Sequence, residues 1–333
     1  MVSAAVLRDP ARDPRPLAAE LYKILVGPAA ADLDQARTET LVWSLDGALR
    51  YIPMTALFDG SKYLVEQYSI ATITPASIAS LDTPPRMANL SVAAMGISRQ
   101  YENDLPALPA VAVELNDVVK DPQAKDAHGP LPGTILLNGD FTQHAMDRLL
   151  ERDFSVVHIA SHFVYRPGDD SQSYLLLAGK DTDSTGYHLT VADFRDDQRL
   201  SLENTDLLTL SACETGMSGA ASNGREVDGL GTTAQLRGAK AVISSLLEVN
   251  DVSTGSLMAD FYKRWAEGEG KVTKVEALRE AQLDLLLGKT NVQAAASGRG
   301  VSVVENQPVG QSGGASYTHP YYWAPFVVMG NWR

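Results

Sequence analysis

Two residues capable of covalent chemistry together stand at matching addresses in this sequence. The single cysteine, Cys213, follows a short apolar run in Asp206-Leu-Leu-Thr-Leu-Ser-Ala-Cys213-Glu-Thr-Gly216. About fifty residues upstream, Phe154-Ser-Val-Val-His-Ile-Ala-Ser-His162-Phe163 ends on a histidine in the same way. Runs this brief, bounded by polar residues, predict buried β-strands. Each strand delivers its polar residue to its C-terminal end, the edge where α/β sheets place their chemistry. If the two strands are parallel neighbours, a thiol and an imidazole face each other across a crevice, as a cysteine nucleophile requires. The competing reading is a small buried hydrophobe, the commonest role of a free cysteine. The Glu-Thr-Gly turn after Cys213 favours a position near the surface.

The remaining histidines do not share that address. His128, His144 and His188 lie in polar surroundings and read as solvated surface, and His319 precedes Pro320 in a loop. His158 sits inside its strand and reads as a satisfied core histidine. Gly310-Gln-Ser312-Gly-Gly314 matches the serine-hydrolase elbow as text but lacks the strand before and the helix after it. Gly229-Leu-Gly231-Thr-Thr-Ala234 imitates a dinucleotide fingerprint without a preceding strand and reads as close helix packing. No metal-ligand spacing is present, so neither a metal nor a cofactor is expected.

The elements that must position the pair follow from the pattern along the chain. Residues 1–15 read as a frayed leader, and Leu17 to Val26 as an amphipathic helix stopped by Gly27-Pro28. Glu39 to Leu45 and Ala48 to Ile52, joined by Asp46-Gly47, predict a β-hairpin. Ser69 to Thr74 predicts a strand, and Asp82-Thr-Pro-Pro85 marks an internal boundary. Strands and helices then alternate: strands at 89–97, 134–137, 154–163, 174–178, 207–210, 241–247 and 324–329, and helices at 109–120, 142–152, 227–237 and 251–287. That alternation predicts a mostly parallel sheet covered on both faces. Residues 214–226 and 288–318 read as loops rich in small residues.

Composition sets the outer bounds. With 28 basic and 41 acidic side chains the chain carries −13 at pH 7, a charge that opposes nucleic-acid and anionic-membrane partners. Hydrophobic residues at 44% and charged residues at 21% are ordinary for a globular protein. One cysteine forms no intramolecular disulfide, and no run of eighteen apolar residues or signal-peptide pattern occurs, so a cytoplasmic location is expected.

Several separated motifs, in order, resemble the CHAT domain, a caspase-like family often fused to tetratricopeptide repeats in bacteria. They are Asp46-Gly-Ala-Leu-Arg-Tyr-Ile-Pro53, Leu57-Phe-Asp-Gly60, Val156-Val-His-Ile-Ala-Ser-His162, Leu210-Ser-Ala-Cys213-Glu-Thr-Gly216, Gly229-Leu-Gly231, Gly238-Ala-Lys-Ala-Val-Ile243 and His319-Pro-Tyr-Tyr-Trp323-Ala-Pro-Phe326. The resemblance spans roughly 39–333. It implies a caspase-like α/β sandwich with a mostly parallel central sheet and an N-terminal β-rich subdomain. Three regions result: a leader and helix over 1–38, a remnant of an upstream repeat or regulatory region; an N-terminal part over 39–85; and a catalytic part over 86–333.

The resemblance further implies a cysteine endopeptidase acting on a protein partner in bacterial signalling, defence or cell death. Cys213 is then the nucleophile and His162 the general base and acid, with the backbone N–H groups of Phe163 and Cys213 holding the oxyanion. Many relatives have glycine after the histidine; Phe163 stands here, keeping the backbone donor while narrowing the site. Glu248, Asn250 and Asp251 are the substrate-pocket candidates and imply a basic residue before the cut, although Asp251 equally suits a helix N-cap. Control by an upstream sensor, a repeat region or a partner protein is expected. The alternative is a catalytically silent module that keeps the fold and uses the crevice for binding.

Overall fold

Local sequence sets the elements, which run in chain order as follows. Helix α1 (Arg15–Leu25), a 3-10 turn (Gly27–Ala29) and α2 (Ala30–Ala36) precede β1 (Thr40–Trp43), and 3-10 segments Gly47–Tyr51 and Met54–Ala56 lead to α3 (Leu64–Gln67) and β2 (Ser69–Thr72). Beyond the 3-10 segment Pro75–Ser80 come β3 (Val92–Gly96), α4 (Ala110–Val118), β4 (Val119–Lys120), β5 (Leu131–Leu137), α5 (Gln143–Leu150), β6 (Val156–Ala160), β7 (His162–Val164), β8 (Tyr174–Ala178) and β9 (Gly186–Thr190). The chain continues through α6 (Val191–Asp196), β10 (Leu207–Leu210), β11 (Cys213–Thr215), α7 (Gly229–Leu236), β12 (Ala241–Ser245), α8 (Asp251–Glu267), α9 (Lys274–Leu286) and β13 (Phe326–Gly330). This computed structural model describes residues 9–87, 90–121, 126–166, 169–179, 186–197, 199–211, 213–215, 229–247, 249–290 and 317–333, with 213–215 and 251 described by backbone. The Gly310–Gly314 motif and most of the 214–226 and 288–318 loops lie outside the described residues.

A nine-stranded sheet takes the order β1-β2-β13-β12-β10-β6-β3-β5-β4, and β11-β7-β8-β9 form a second, four-stranded sheet. In the large sheet every neighbouring pair is parallel except β12 with β13. Central strands β3, β6 and β10 are buried along their whole length, which is why their sequences are continuously apolar rather than alternating. Helix α4 packs directly on β3: a Cβ on Gly96 would lie 2.6 Å from Val111 Cγ1. The other face meets α7, where a Cβ on Gly231 would lie 2.6 Å from Met329 Cε. The Gly229-Leu-Gly231 stretch is therefore helix packing, as its sequence context predicts.

The predicted hairpin at 39–52 does not form. β1 pairs in parallel with β2, with Thr40 opposite Ser69, and the Asp46-Gly47 step starts a 3-10 helix instead. Asp46 Oδ1 accepts the Gly47 N–H at 2.8 Å, and Arg50 Nε donates to the Leu45 carbonyl at 3.0 Å. These local bonds satisfy the turn, leaving the apolar residues of β1 to extend the large sheet rather than fold back. Helix α1 packs into a second, smaller core, where Leu21, Tyr22 and Leu25 meet Val26, Met54, Leu57 and Leu64.

Two buried polar clusters hold the sheet in register. At the N-terminal ends of the central strands, Asp206 accepts from the backbone N–H of Arg86 at 3.0 Å, from Arg86 Nε at 3.2 Å and from Lys240 Nζ at 2.6 Å. In mid-sheet, His158 and Thr209 are register partners on β6 and β10, and both reach the Tyr262 hydroxyl of α8, at 3.1 and 2.6 Å. His158 Nε2 meets Glu114 Oε1 of α4 at 2.9 Å. All four side chains are buried, so His158 is the core histidine that its mid-strand position predicts. Replacing Tyr262 by Phe leaves His158 Nδ1 and Thr209 Oγ1 without that hydroxyl, and should destabilise the fold by about 1–3 kcal/mol. A urea titration checks this: the midpoint should fall at constant slope, and an unmoved midpoint would show that the network contributes no net stability.

Candidate active site

The same parallel pairing continues past the end of the large sheet. β6 and β10 run side by side with Leu210 opposite Ile159, and both chains then leave that sheet. Ser161 separates β6 from β7, its Oγ donating to the Leu176 carbonyl of β8 at 2.6 Å. On β10, the Ser211 N–H donates to the Ile159 carbonyl at 2.9 Å. Beyond these exits β7 and β11 pair again, in parallel and in unchanged register, with Cys213 opposite His162 and Glu214 opposite Phe163. Facing residues on adjacent strands have Cα atoms about 5 Å apart. The strand predicted over 154–163 is thus two strands in two sheets, and the break at Ser161 separates core from site.

His162 is 2% exposed. Its Nε2 lies 2.7 Å from the Pro106 carbonyl oxygen. A carbonyl only accepts, so Nε2 carries the proton and Nδ1 holds the lone pair in the neutral ring. Nδ1 is buried and has no hydrogen-bond partner among the described residues. Burial pushes the His162 imidazole below its ordinary value, while the Pro106 carbonyl and the charge of Glu102 pull the other way. The ring is therefore held as a neutral base with one nitrogen anchored and the other available.

Pro106 is delivered by the connection between β3 and α4. Asn138, in the left-handed region at φ 55°, fixes the start of that loop by accepting the Ser98 and Arg99 N–H groups at 2.9 and 3.1 Å. The Leu108 N–H donates to the Ser98 carbonyl at 3.1 Å and closes it. Residue types give no sign of Pro106, because its contribution is a main-chain carbonyl. Glu102, Tyr174 and His188 were equally hidden. His188 is exposed, as expected, yet its Nε2 lies 2.5 Å from Glu102 Oε1.

The other sequence candidates divide. Phe163 lies in β7 between Glu214 on one side and Leu175 on the other. Glu248 and the side chain of Asp251 lie outside the described residues. The N-cap of α8 is Asn250, whose side chain accepts the Ser253 N–H at 3.1 Å; Asp251 is the first residue of the helix instead. Among the described residues no group of three or more His, Cys, Asp or Glu side chains is placed to hold a metal ion. No helix among them is long and apolar enough to cross a membrane. A separate cavity of about 300 Å³ opens beside Leu246, walled by Ile52, Ile70, Val327 and Met329, with Asp46 and Arg50 also lining it.

Comparison with known proteins adds the following. No curated protein matches this sequence. Among solved structures, the Arg-specific cysteine proteinase gingipain R is 11% identical, with 80% of this chain and 55% of that chain covered, at a TM-score of 0.43. The Saccharomyces cerevisiae separase–securin complex is 11% identical, with coverage of 84% and 14% and a TM-score of 0.48. The complex of Porphyromonas gingivalis RgpB pro- and mature domains is 9% identical, with coverage of 99% and 74% and a TM-score of 0.47. This chain thus spans little more than half of the gingipain R chain and a small part of the separase chain. A family model described as the CHAT domain matches residues 15–331, nearly the whole sequence, and the chain belongs to the CHAT domain family.

Proposed function

We propose that the protein is a cysteine endopeptidase in which Cys213 is the nucleophile and His162 the general base and acid. The observation that supports this most is the register that sets Cys213 opposite His162 on adjacent strands, at the end of a buried parallel sheet. In this reading His162 Nδ1 takes the thiol proton as sulfur attacks the peptide carbonyl carbon. The N–H groups of Cys213 and Phe163 receive the oxyanion, each such donor contributing about 2.7–4 kcal/mol of transition-state stabilisation. The imidazolium then returns its proton to the leaving amine and the C–N bond breaks, leaving a thioester. Water, deprotonated by His162, hydrolyses that thioester and frees the thiol. The Pro106 carbonyl keeps the ring from presenting the wrong nitrogen at either step.

The acidic residues Glu248 and Asp251, with Asn250 between them in sequence, give the substrate pocket a preference for a basic residue before the cut. The cleaved partner is a protein, and an upstream sensor or repeat region controls access, within a bacterial signalling, defence or cell-death pathway. A second reading, a binding module that cleaves nothing, draws support from the 2% exposure of His162, since a substrate must reach that ring.

Labelling with a peptide electrophile ending in Arg or Lys tests the first reading. Wild type should label, Cys213→Ala should not, and His162→Ala should react about 10²–10⁴-fold more slowly. Labelling that survives His162→Ala unchanged would remove the base from the mechanism. A fluorogenic panel varied only at the residue before the cut checks the pocket: a preference for Leu or Asp would overturn the basic assignment. Because burial holds His162 below 6.5, the ring stays a base on acidification past that value. Alkylation of Cys213 by iodoacetamide should then keep its acid limb below pH 6.5, reported as the apparent value of the coupled pair. An acid limb at or above 6.5 would show that the ring is not held in this way.

A further inference from the structure

The loop that carries Pro106 is tied to the small sheet by one carboxylate. Glu102 Oε1 lies 2.5 Å from His188 Nε2 of β9, and its Oε2 accepts the Tyr174 hydroxyl of β8 at 3.3 Å. The Tyr174 and His188 rings stack at a centroid separation of 3.5 Å and an angle of 15°, so the two donors present a single rigid seat. Gly186 on β9 keeps that seat open: a Cβ there would fall 2.9 Å from Glu102 Oε1 and 2.7 Å from Leu176 Cδ1. The backbone of Glu102 is held as well. Its carbonyl accepts the Leu105 N–H at 3.3 Å and Gln100 Nε2 at 3.0 Å, closing a turn that ends directly before Pro106.

We propose that Glu102 is a positioning residue, which clamps the Pro106 loop to the sheet bearing His162 and Cys213 and sets a fixed negative charge near the His162 imidazole. This rests on the reading of His162 as the proton acceptor. The carboxylate has two separable effects. Its hydrogen bonds hold the loop, and therefore the carbonyl that selects the protonated nitrogen of His162. Its charge favours the imidazolium that proton transfer creates, opposing the burial that disfavours it. Among the described residues Glu102 is the one charge that acts on His162. The neighbouring charged groups, Asp104 on the same loop and Arg166 beyond β7, act on Tyr174 with opposite sign, and burial together with Glu102 pushes the Tyr174 phenol up to about 12.

Two substitutions separate these effects in the resting protein, without any substrate. Glu102→Gln removes the charge and keeps one acceptor oxygen for His188, while its amide N–H can donate to the Tyr174 hydroxyl oxygen in place of accepting from it. Glu102→Ala removes both the charge and the hydrogen bonds. The His162 ring is followed by NMR titration, with its signal assigned by loss in His162→Gln, and residues 99–108 by backbone hydrogen exchange. His162 should titrate lower in both variants, whereas exchange across 99–108 should accelerate in Glu102→Ala alone. A His162 titration unmoved in both variants, or exchange in Glu102→Ala equal to wild type, would overturn the proposal. Glu102→Gln keeps the test decisive if the alanine variant fails to fold. A protein that shows both responses but cleaves no peptide would sink the peptidase reading and leave the clamp standing; cleavage without either response would do the reverse.

Discussion

The structure depends on the parallel pairing of β6 with β10, and on that pairing surviving a change of sheet. Buried parallel strands have no solvent face to tolerate a shift, so a slip of one residue would turn every side chain to the wrong layer. The register that seats Val156, Val157 and Ile159 against Leu207, Leu208 and Leu210 is the one that carries on to set Cys213 opposite His162. Core packing and site geometry are thus one constraint. The hydrophobic energy of the centre positions two polar residues that lie beyond it.

Apolar packing opposes a slip, and the buried polar groups sharpen that choice among similar aliphatic residues. Thr209 and His158 meet one Tyr262 hydroxyl only when they are level on adjacent strands. A slipped pairing would leave these groups unsatisfied in the interior, where each lost partner costs about 1–3 kcal/mol. Asp206 performs the same service at the other end, collecting Arg86 from ahead of β3 and Lys240 from ahead of β12. Both clusters lie away from the site, and together they bracket the strands that reach it.

At the site itself burial and polarity are balanced differently. His162 is as buried as a core residue but keeps one nitrogen without a partner among the described residues, which a purely structural histidine such as His158 does not. That contrast separates the two histidines of one segment. Both sit in the apolar run 154–163, yet only His162 lies past the break at Ser161.

The sequence by itself determined the strand and helix alternation over 89–247, the core role of His158, the packing role of Gly231 and the equivalent addresses of His162 and Cys213. Those features are local: run length, residue type and turn chemistry carry them. It misjudged 39–52, because a turn-forming Asp46-Gly47 step satisfied by its own backbone looks the same whether the strand before it folds back or joins a distant β2. It was silent on Pro106 and Glu102, since a main-chain carbonyl has no residue signature and a carboxylate in a loop resembles solvated surface. Only tertiary structure decided which strands are neighbours, where the chain leaves one sheet for another, and which nitrogen of His162 is anchored. Those outcomes depend on contacts between residues far apart in the chain, and pairwise contact is the one property that a linear pattern does not encode.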